Sequence, residues 1–301
     1  MSESGQPAIV EETEVGSYFV ANYPPFSVWN TDNVQTEAVP ALARTPANTP
    51  LGLYLHIPFC RKRCHFCYFR VYTEKNASEV QDYLDVLGRE WELYAEQLAL
   101  QGRPLNFVYF GGGTPSFLSV RQLEGLVKRL NEVIPWSTAE EITFECEPGT
   151  LTESKLAAIR ELGVTRLSLG VENFDDGILE LNGRAHRSAE IFRAYTYARS
   201  IGFPQINIDL IAGMLGETDD NWQQCITETL KLEPDSITIY QMELPFNTTI
   251  SADVMEGRGQ FKENVATWLT KQRWVAEAFD QLENAGYSIG SAYTAVKNPA
   301  N

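Results

Sequence analysis

From Leu51 onward the chain alternates short, nearly unbroken apolar runs with longer segments whose apolar residues recur every three or four positions. A short run bounded by turn residues reads as a strand covered on both faces, and a three-to-four-residue period reads as an amphipathic helix. The pattern predicts strands over 51–57, 106–110, 141–146, 166–170, 205–210 and 236–240. Helices are expected over 78–100, 119–133, 153–162, 188–201 and 219–232, with a last one over 262–285. Strand–helix alternation repeated in this way predicts right-handed crossovers and a parallel sheet curled about its own axis. The expected fold is α/β, a partial (β/α)6 barrel resembling a TIM barrel, with its active site at the C-terminal ends of the strands. No internal sequence repeat is evident.

Residues 1–50 read differently and are expected to form an N-terminal extension to a barrel core over 51–301. The opening is acidic and rich in small residues, and Pro24, Pro25, Pro40, Pro46 and Pro50 break any regular pattern. Tyr18, Phe19, Tyr23, Phe26 and Trp29 argue against full disorder, so the arm is expected to lie along the barrel with a disordered tip.

At 44% hydrophobic residues and 33.9 kDa the chain can bury a large core. Its 40 acidic against 24 basic residues give a formal charge of -16, which disfavours nucleic acid as a partner. There is no apolar run of membrane-spanning length and no signal-peptide pattern, and there are only 5 cysteines. A soluble, reducing compartment, the cytoplasm, is expected, with no membrane partner.

Three of the cysteines, Cys60, Cys64 and Cys67, share one short segment at C-x3-C-x2-C spacing. Three thiolates on one loop can hold three irons of a four-iron cluster and leave the fourth iron without a protein ligand. The alternative is a zinc knot, which needs a fourth ligand, and His65 sits between two of the cysteines with little room to join them. The loop is locally basic, with Arg61, Lys62, Arg63 and Arg70, either as a solvated edge or as an attraction for an anionic substrate or acidic electron donor.

The predicted strand ends carry further candidates. Gly111-Gly112-Gly113-Thr114-Pro115 follows the second strand, either as a tight turn or as a pocket in which backbone N–H groups approach a ligand. Glu145 and Glu147 follow the third, where a carboxylate can meet ribose hydroxyls or an ammonium group; Glu147 is also placed to cap the turn before Pro148. Cys146 between them reads as a small buried hydrophobe. Glu172 follows the fourth strand, with Arg184 and His186 downstream; Glu172 and Arg184 could pair with each other, and His186 reads as packed or capping ahead of catalytic. Asp209 closes the fifth strand, and Met242 after the sixth offers an apolar wall for an adenine or plain packing.

The stretch from Leu53 to Cys67 resembles the cluster loop of radical S-adenosylmethionine (SAM) enzymes. Its wording is similar to the oxygen-independent coproporphyrinogen III oxidase family and its haem-chaperone and radical-methyltransferase branches. The resemblance extends from about Leu51 to Val296. It implies a [4Fe-4S] cluster on Cys60, Cys64 and Cys67, whose open iron is chelated by SAM, and reductive cleavage of the sulfonium to a 5'-deoxyadenosyl radical. It implies that the Gly112, Gly113 and Thr114 motif meets the SAM amino group, that Arg184 meets its carboxylate, and that Glu145 and Asp209 also bind it. Tyr54 is placed like a cofactor-contacting tyrosine, and Phe66 like an aromatic beside the adenine. The implied activity is that of an oxidoreductase of porphyrin biosynthesis, with a tetrapyrrole propionate as candidate substrate for oxidative decarboxylation. A reducing donor such as flavodoxin or ferredoxin would supply the electron. Methyl transfer or cyclopropanation, and haem delivery by a chaperone, are the alternatives.

Three departures limit the substrate reading. Phe69 stands where the oxidases proper usually carry another cysteine, and Glu172 where relatives often carry glutamine. The relatives also usually have a C-terminal domain that covers the substrate, and this chain is expected to lack it.

Overall fold

The computed structural model of the chain describes residues 29–46, 48–256 and 265–299. The expected arm over 1–28, with most of its aromatics, lies outside the described residues, as does the start of the helix expected from 262. Six strands run parallel in chain order: β1 (Gly52–Ile57), β2 (Phe107–Gly112), β3 (Glu141–Cys146), β4 (Arg166–Glu172), β5 (Gln205–Ala212) and β6 (Ser236–Gln241). The helices are α1 (Ala77–Ala95), α2 (Val120–Val133), α3 (Glu153–Glu161), α4 (Asp176–Leu181), α5 (Ser188–Ser200), α6 (Asp219–Leu232), α7 (Thr249–Met255) and α8 (Trp268–Asn284). A hairpin of β7 (Ser288–Ile289) and β8 (Thr294–Val296) extends the sheet, with β8 antiparallel to β6.

The two faces of the strands differ in chemistry. On β5, Ile206, Ile208 and Leu210 join the main apolar core that also takes in Trp222 and Trp274 of α6 and α8. The alternate residues Asn207 and Asp209 bond instead to Ser168 of β4, and Asn207 also accepts from Ser236 and Thr238 of β6. A strand that is apolar toward the helices and polar toward the barrel interior is what a period of two allows. The polar stripe directs carboxylates and hydroxyls into the barrel.

Local signals start the helices where expected. Asn76 caps α1, accepting from the N–H groups of Ser78 and Glu79 while Glu79 reaches back, and Ser119 does the same for α2 with Gln122. Replacing Asn76 by alanine should cost about 1 kcal/mol, read as a lower midpoint in urea unfolding.

The differences from expectation lie where apolar character stops but the hydrogen-bonded ladder continues. β2 runs on to Gly112, which pairs with Ile57, and β4 to Glu172, across a register break between Gly170 and Glu172. α1 ends at Ala95 and is followed by a separate 3-10 turn over Leu98–Leu100. α4, α7 and the β7–β8 hairpin were not expected. Within the irregular extension, residues 31–42 are helical in three consecutive pieces, with a π-helical stretch over Val34–Ala38 immediately before Val39–Leu42, which holds Pro40. Among the described residues, no helix is long and apolar enough to cross a membrane.

Candidate functional site

The cysteine loop leaves β1 and is held at several points. Cys60 N–H donates to Tyr72 O at 3.1 Å, Tyr72 N–H to Pro58 O at 2.8 Å, and Cys67 N–H to Cys64 O at 3.2 Å. His65, between two of the cysteines, is a positioning residue. Its N–H donates to Asn182 O, its Nδ1 bonds to Leu181 O at 3.0 Å, and its carbonyl accepts from Ile250 N–H of α7. Gly183 makes room for this ring: its φ is 75, and a Cβ there would lie 2.7 Å from the imidazole. A Gly183→Ala substitution should therefore cost about 1–3 kcal/mol through left-handed strain and displacement of His65. Thermal unfolding, together with faster loss of bound iron to a chelator, would check this.

The basic edge is largely engaged. Arg63 Nη2 donates to Cys67 O at 3.0 Å and Asn247 O at 3.2 Å, and Asn247 returns a bond to Tyr68 O at 2.8 Å. Arg61 forms a two-pronged pair with Glu147, from Nε and Nη2 at 3.1 Å each. Glu147 also accepts from Gly149 N–H, as its capping position suggested, and meets Nδ1 of the fully buried His186 at 3.2 Å. Burial alone would raise this carboxyl, but the His186 bond and the charges of Arg184 and Arg61 outweigh it and hold Glu147 at about 2. Glu147 thus ties the cysteine loop, the end of β3 and the segment after Arg184 together. His186 is packed between Glu147 and Val171 O, its second bond at 3.2 Å.

At the barrel mouth, Cys60, Cys64 and Cys67 open on one cavity of about 900 Å³. The same cavity is lined by Gly112, Gly113, Thr114, Glu145, Glu172, Arg184 and Asp209, and on its apolar side by Phe66 and Met242. Phe66 packs on the small cluster that contains Met242, Ile211 and Leu244, so the two side chains form one wall. Every candidate residue except Tyr54 is therefore gathered here.

Tyr54 is corrected. It lies in mid-strand opposite Tyr109, three residues below the end of β1, and is 55% exposed. Its ring stacks on Tyr109 at 5.9 Å, its hydroxyl meets His56 Nδ1 at 3.1 Å, and it is not among the cavity's lining residues. Tyr109, which sequence reasoning passed over, donates to Glu145 Oε1 at 2.7 Å. The only signal was its position two residues before Gly111, on the same face of β2.

The N–H groups of the glycine motif have partners within the protein. Gly112 N–H goes to Glu145 Oε2 at 3.2 Å and Gly113 N–H to Ile57 O at 2.8 Å, so neither is on offer to a ligand. An ammonium group here would have to be met by carbonyl oxygens and by Glu145. Burial pushes the Glu145 carboxyl up to about 7, with Tyr109 and the Gly112 N–H opposing and Asp209 reinforcing the shift. Asp209 is raised as well, again chiefly by burial, although Ser168 and Asn207 bond to it.

Arg184 joins the two halves of the site. Its Nη1 donates to Cys64 Sγ at 3.3 Å, its Nη2 to Gly170 O at 2.7 Å, and Nη2 lies 3.5 Å from Glu172 Oε1. Its Nε is buried without a partner among the described residues. Thr114 Oγ1 donates to Cys60 Sγ at 3.3 Å. Burial raises the Cys60 thiol to about 11, with Thr114 opposing, and raises that of Cys67, so metal uptake would release protons. Cys146 is buried, its Sγ directed to Phe144 O, as a small core residue.

Among the described residues no group of three or more His, Cys, Asp and Glu side chains is gathered for a single metal ion. The residues fit a larger body. Three cysteines line one cavity, a guanidinium N–H without a partner among the described residues is buried in Arg184 of the same lining, and a Cβ at Gly113 would stand 3.0 Å from Cys60 Sγ.

Residues 54–228 match the family model of the radical SAM superfamily. The chain is 36% identical over 207 residues to the heme chaperone HemW of Bacillus subtilis, covering 68% of this chain and 54% of the chaperone. It is 31% identical over 233 residues to the oxygen-independent coproporphyrinogen III oxidase of Escherichia coli, covering 77% of this chain and 50% of the oxidase. It thus spans about half the length of these relatives. The solved structure of coproporphyrinogen III oxidase (HemN) from Escherichia coli superposes with a TM-score of 0.82 at 28% identity, over 93% of this chain and 62% of that one. By both sequence and fold the chain belongs to the radical SAM superfamily, and its cofactors are a [4Fe-4S] cluster and S-adenosylmethionine.

Proposed function

We propose that this chain catalyses hydrogen abstraction from a propionate side chain of a tetrapyrrole, after which the substrate radical loses carbon dioxide and gives up one electron to a one-electron redox carrier, leaving a vinyl group. The observation that carries the reading is the single cavity in which three cysteine sulfurs, a buried arginine N–H and a carboxylate set meet. When bound, the cluster and SAM supply one electron and a sulfonium whose reductive cleavage yields methionine and a hydrogen-abstracting 5'-deoxyadenosyl radical.

The chain's own residues hold and orient. Cys60, Cys64 and Cys67 are the cluster ligands in this reading, with Thr114 and Arg184 donating to two of the sulfurs. Glu145 takes the ammonium end of the amino-acid tail and Arg184 the carboxylate end, through its unpartnered Nε. Phe66 and Met242 face the adenine, and Asp209 stands deeper in the barrel. Tyr68 and Phe69, tilted against each other at 4.6 Å and half exposed at the cavity rim, present aromatic surface suited to a flat macrocycle. Lys62 on the same rim suits its propionates. A reducing protein such as flavodoxin or ferredoxin would deliver the electron, and a soluble cytoplasmic setting suits both donor and cluster.

Phe69 in place of the oxidases' additional cysteine favours a second reading, haem binding and delivery, as does the similarity to a heme chaperone. Anaerobic reconstitution with iron and sulfide, followed by SAM, dithionite and coproporphyrinogen III, separates the two. Protoporphyrinogen IX together with 5'-deoxyadenosine is the expected result. Stoichiometric haem uptake without substrate-dependent SAM turnover would replace it with the chaperone reading, and a methylated or cyclopropanated product would replace it with those chemistries.

A further inference from the structure

Glu172 and Arg184 stand in a relation that cofactor binding does not by itself require. Each side chain is only 11% exposed, and Nη2 of Arg184 is 3.5 Å from Glu172 Oε1. Glu172 has a φ of 65, a conformation that non-glycine residues rarely adopt, and it follows the register break after Gly170. Such a bulge re-aims a side chain, and here it brings the carboxylate to the guanidinium. The other charged groups facing Glu172 are Glu145 and Asp209, both acidic. Behind Arg184 lie Cys64 Sγ and Glu147, and the phenol of Tyr240 also feels the carboxylate. Arg184 is the cation that directly faces Glu172, with Arg61 on Glu147 and Arg166 acting on Asp209 and Tyr240 further off, and its guanidinium already has an acidic neighbour before any ligand arrives.

We propose that Glu172 is a built-in competitor for Arg184, lowering the affinity of the site for the carboxylate end of S-adenosylmethionine. This rests on the reading above in which Arg184 receives that carboxylate. Two carboxylates on one buried guanidinium repel each other, and an amide of the same length would keep the hydrogen-bonding capacity without the charge. Burial pushes Glu172 up to about 7, with Arg184 opposing. The competition is thus weak below that pH, where Glu172 is protonated, and full above it.

The test compares wild type with Glu172→Gln, both carrying the reconstituted cluster, by anaerobic equilibrium binding of S-adenosylmethionine and of its decarboxylated form between pH 6 and 8. Glu172→Gln should bind S-adenosylmethionine about 10-fold more tightly at pH 8 and nearly equally at pH 6. The decarboxylated ligand should show no difference between the two proteins. Glu145 titrates in both proteins and feels the Glu172 charge, so the gain is read relative to that of the decarboxylated ligand, which keeps the ammonium end. A gain independent of pH, an equal gain for the decarboxylated ligand, or no gain overturns the proposal. Should Glu172→Gln fail to take up the cluster, Glu172→Asn removes the same charge with a residue that tolerates positive φ, under the same expectations. If wild type with an intact cluster absorption spectrum binds no S-adenosylmethionine at all, the cofactor reading itself fails, and the proposal with it.

Discussion

Replacing Cys60, Cys64 and Cys67 together by alanine should remove the cluster and reduce 5'-deoxyadenosine formation by at least about 10³-fold, to assay background. Enzymatic accelerations commonly exceed about 10⁶-fold, so loss of the group that performs the chemistry leaves little to measure. The substitution should spare the fold. Cys64 and Cys67 are only partly buried, and the loop is anchored by His65, Arg63 and the Cys60–Tyr72 backbone pair rather than by the thiols. Iron and sulfide content with visible absorption check the cluster, chromatography of 5'-deoxyadenosine checks the activity, and far-ultraviolet circular dichroism checks the fold. Full SAM cleavage by a soluble, iron-free triple variant would sink the assignment of the ligands.

Glu147→Ala should destabilise the protein by about 3–5 kcal/mol, because it leaves the His186 ring and the Arg61 guanidinium without their shared acceptor. His186 is fully buried and has no access to water in exchange, whereas Arg61 is partly exposed and recovers some hydration. The sign of the pH dependence follows from the depressed carboxyl. The folded protein holds Glu147 at about 2 against an ordinary value of 4.5, so its contribution is complete above 4.5 and is lost as the pH falls toward 2. The size of that contribution is about 3 kcal/mol at 1.36 kcal/mol per unit. Urea unfolding of both proteins at pH 7, 4 and 2.5 should show the gap narrowing toward acid. A gap constant across that window would mean that Glu147 acts only by packing.

These consequences were unevenly legible in the sequence. The cysteine spacing, the glycine motif, Glu145 and Asp209 stood out because each lies at or just beyond a strand that a local apolar run defines. α2 and α6 were likewise placed almost to the residue, since Ser119 and Thr218 supply caps that act over three positions. The sequence points to a turn cap at Glu147 but not to its role as a tie, because that role depends on Arg61, 86 positions away, and His186, 39 positions away. No local pattern encodes such pairings.

The sequence by itself determined the order of the six parallel strands and the main helices between them, the placing of the glycine motif at the end of the second strand and the clustering of thiols on one loop. All of these follow from spacing within a few residues. Tertiary structure decided what those residues face. Pairing of β1 with β2 sets Tyr54 against Tyr109 and outside the cavity, and the approach of the glycine motif to β1 and β3 commits its N–H groups to Ile57 and Glu145. A one-residue irregularity in β4 aims Glu172 at Arg184. A strand's side-chain period of two makes such outcomes hinge on register, and register is fixed only when distant strands close their hydrogen bonds.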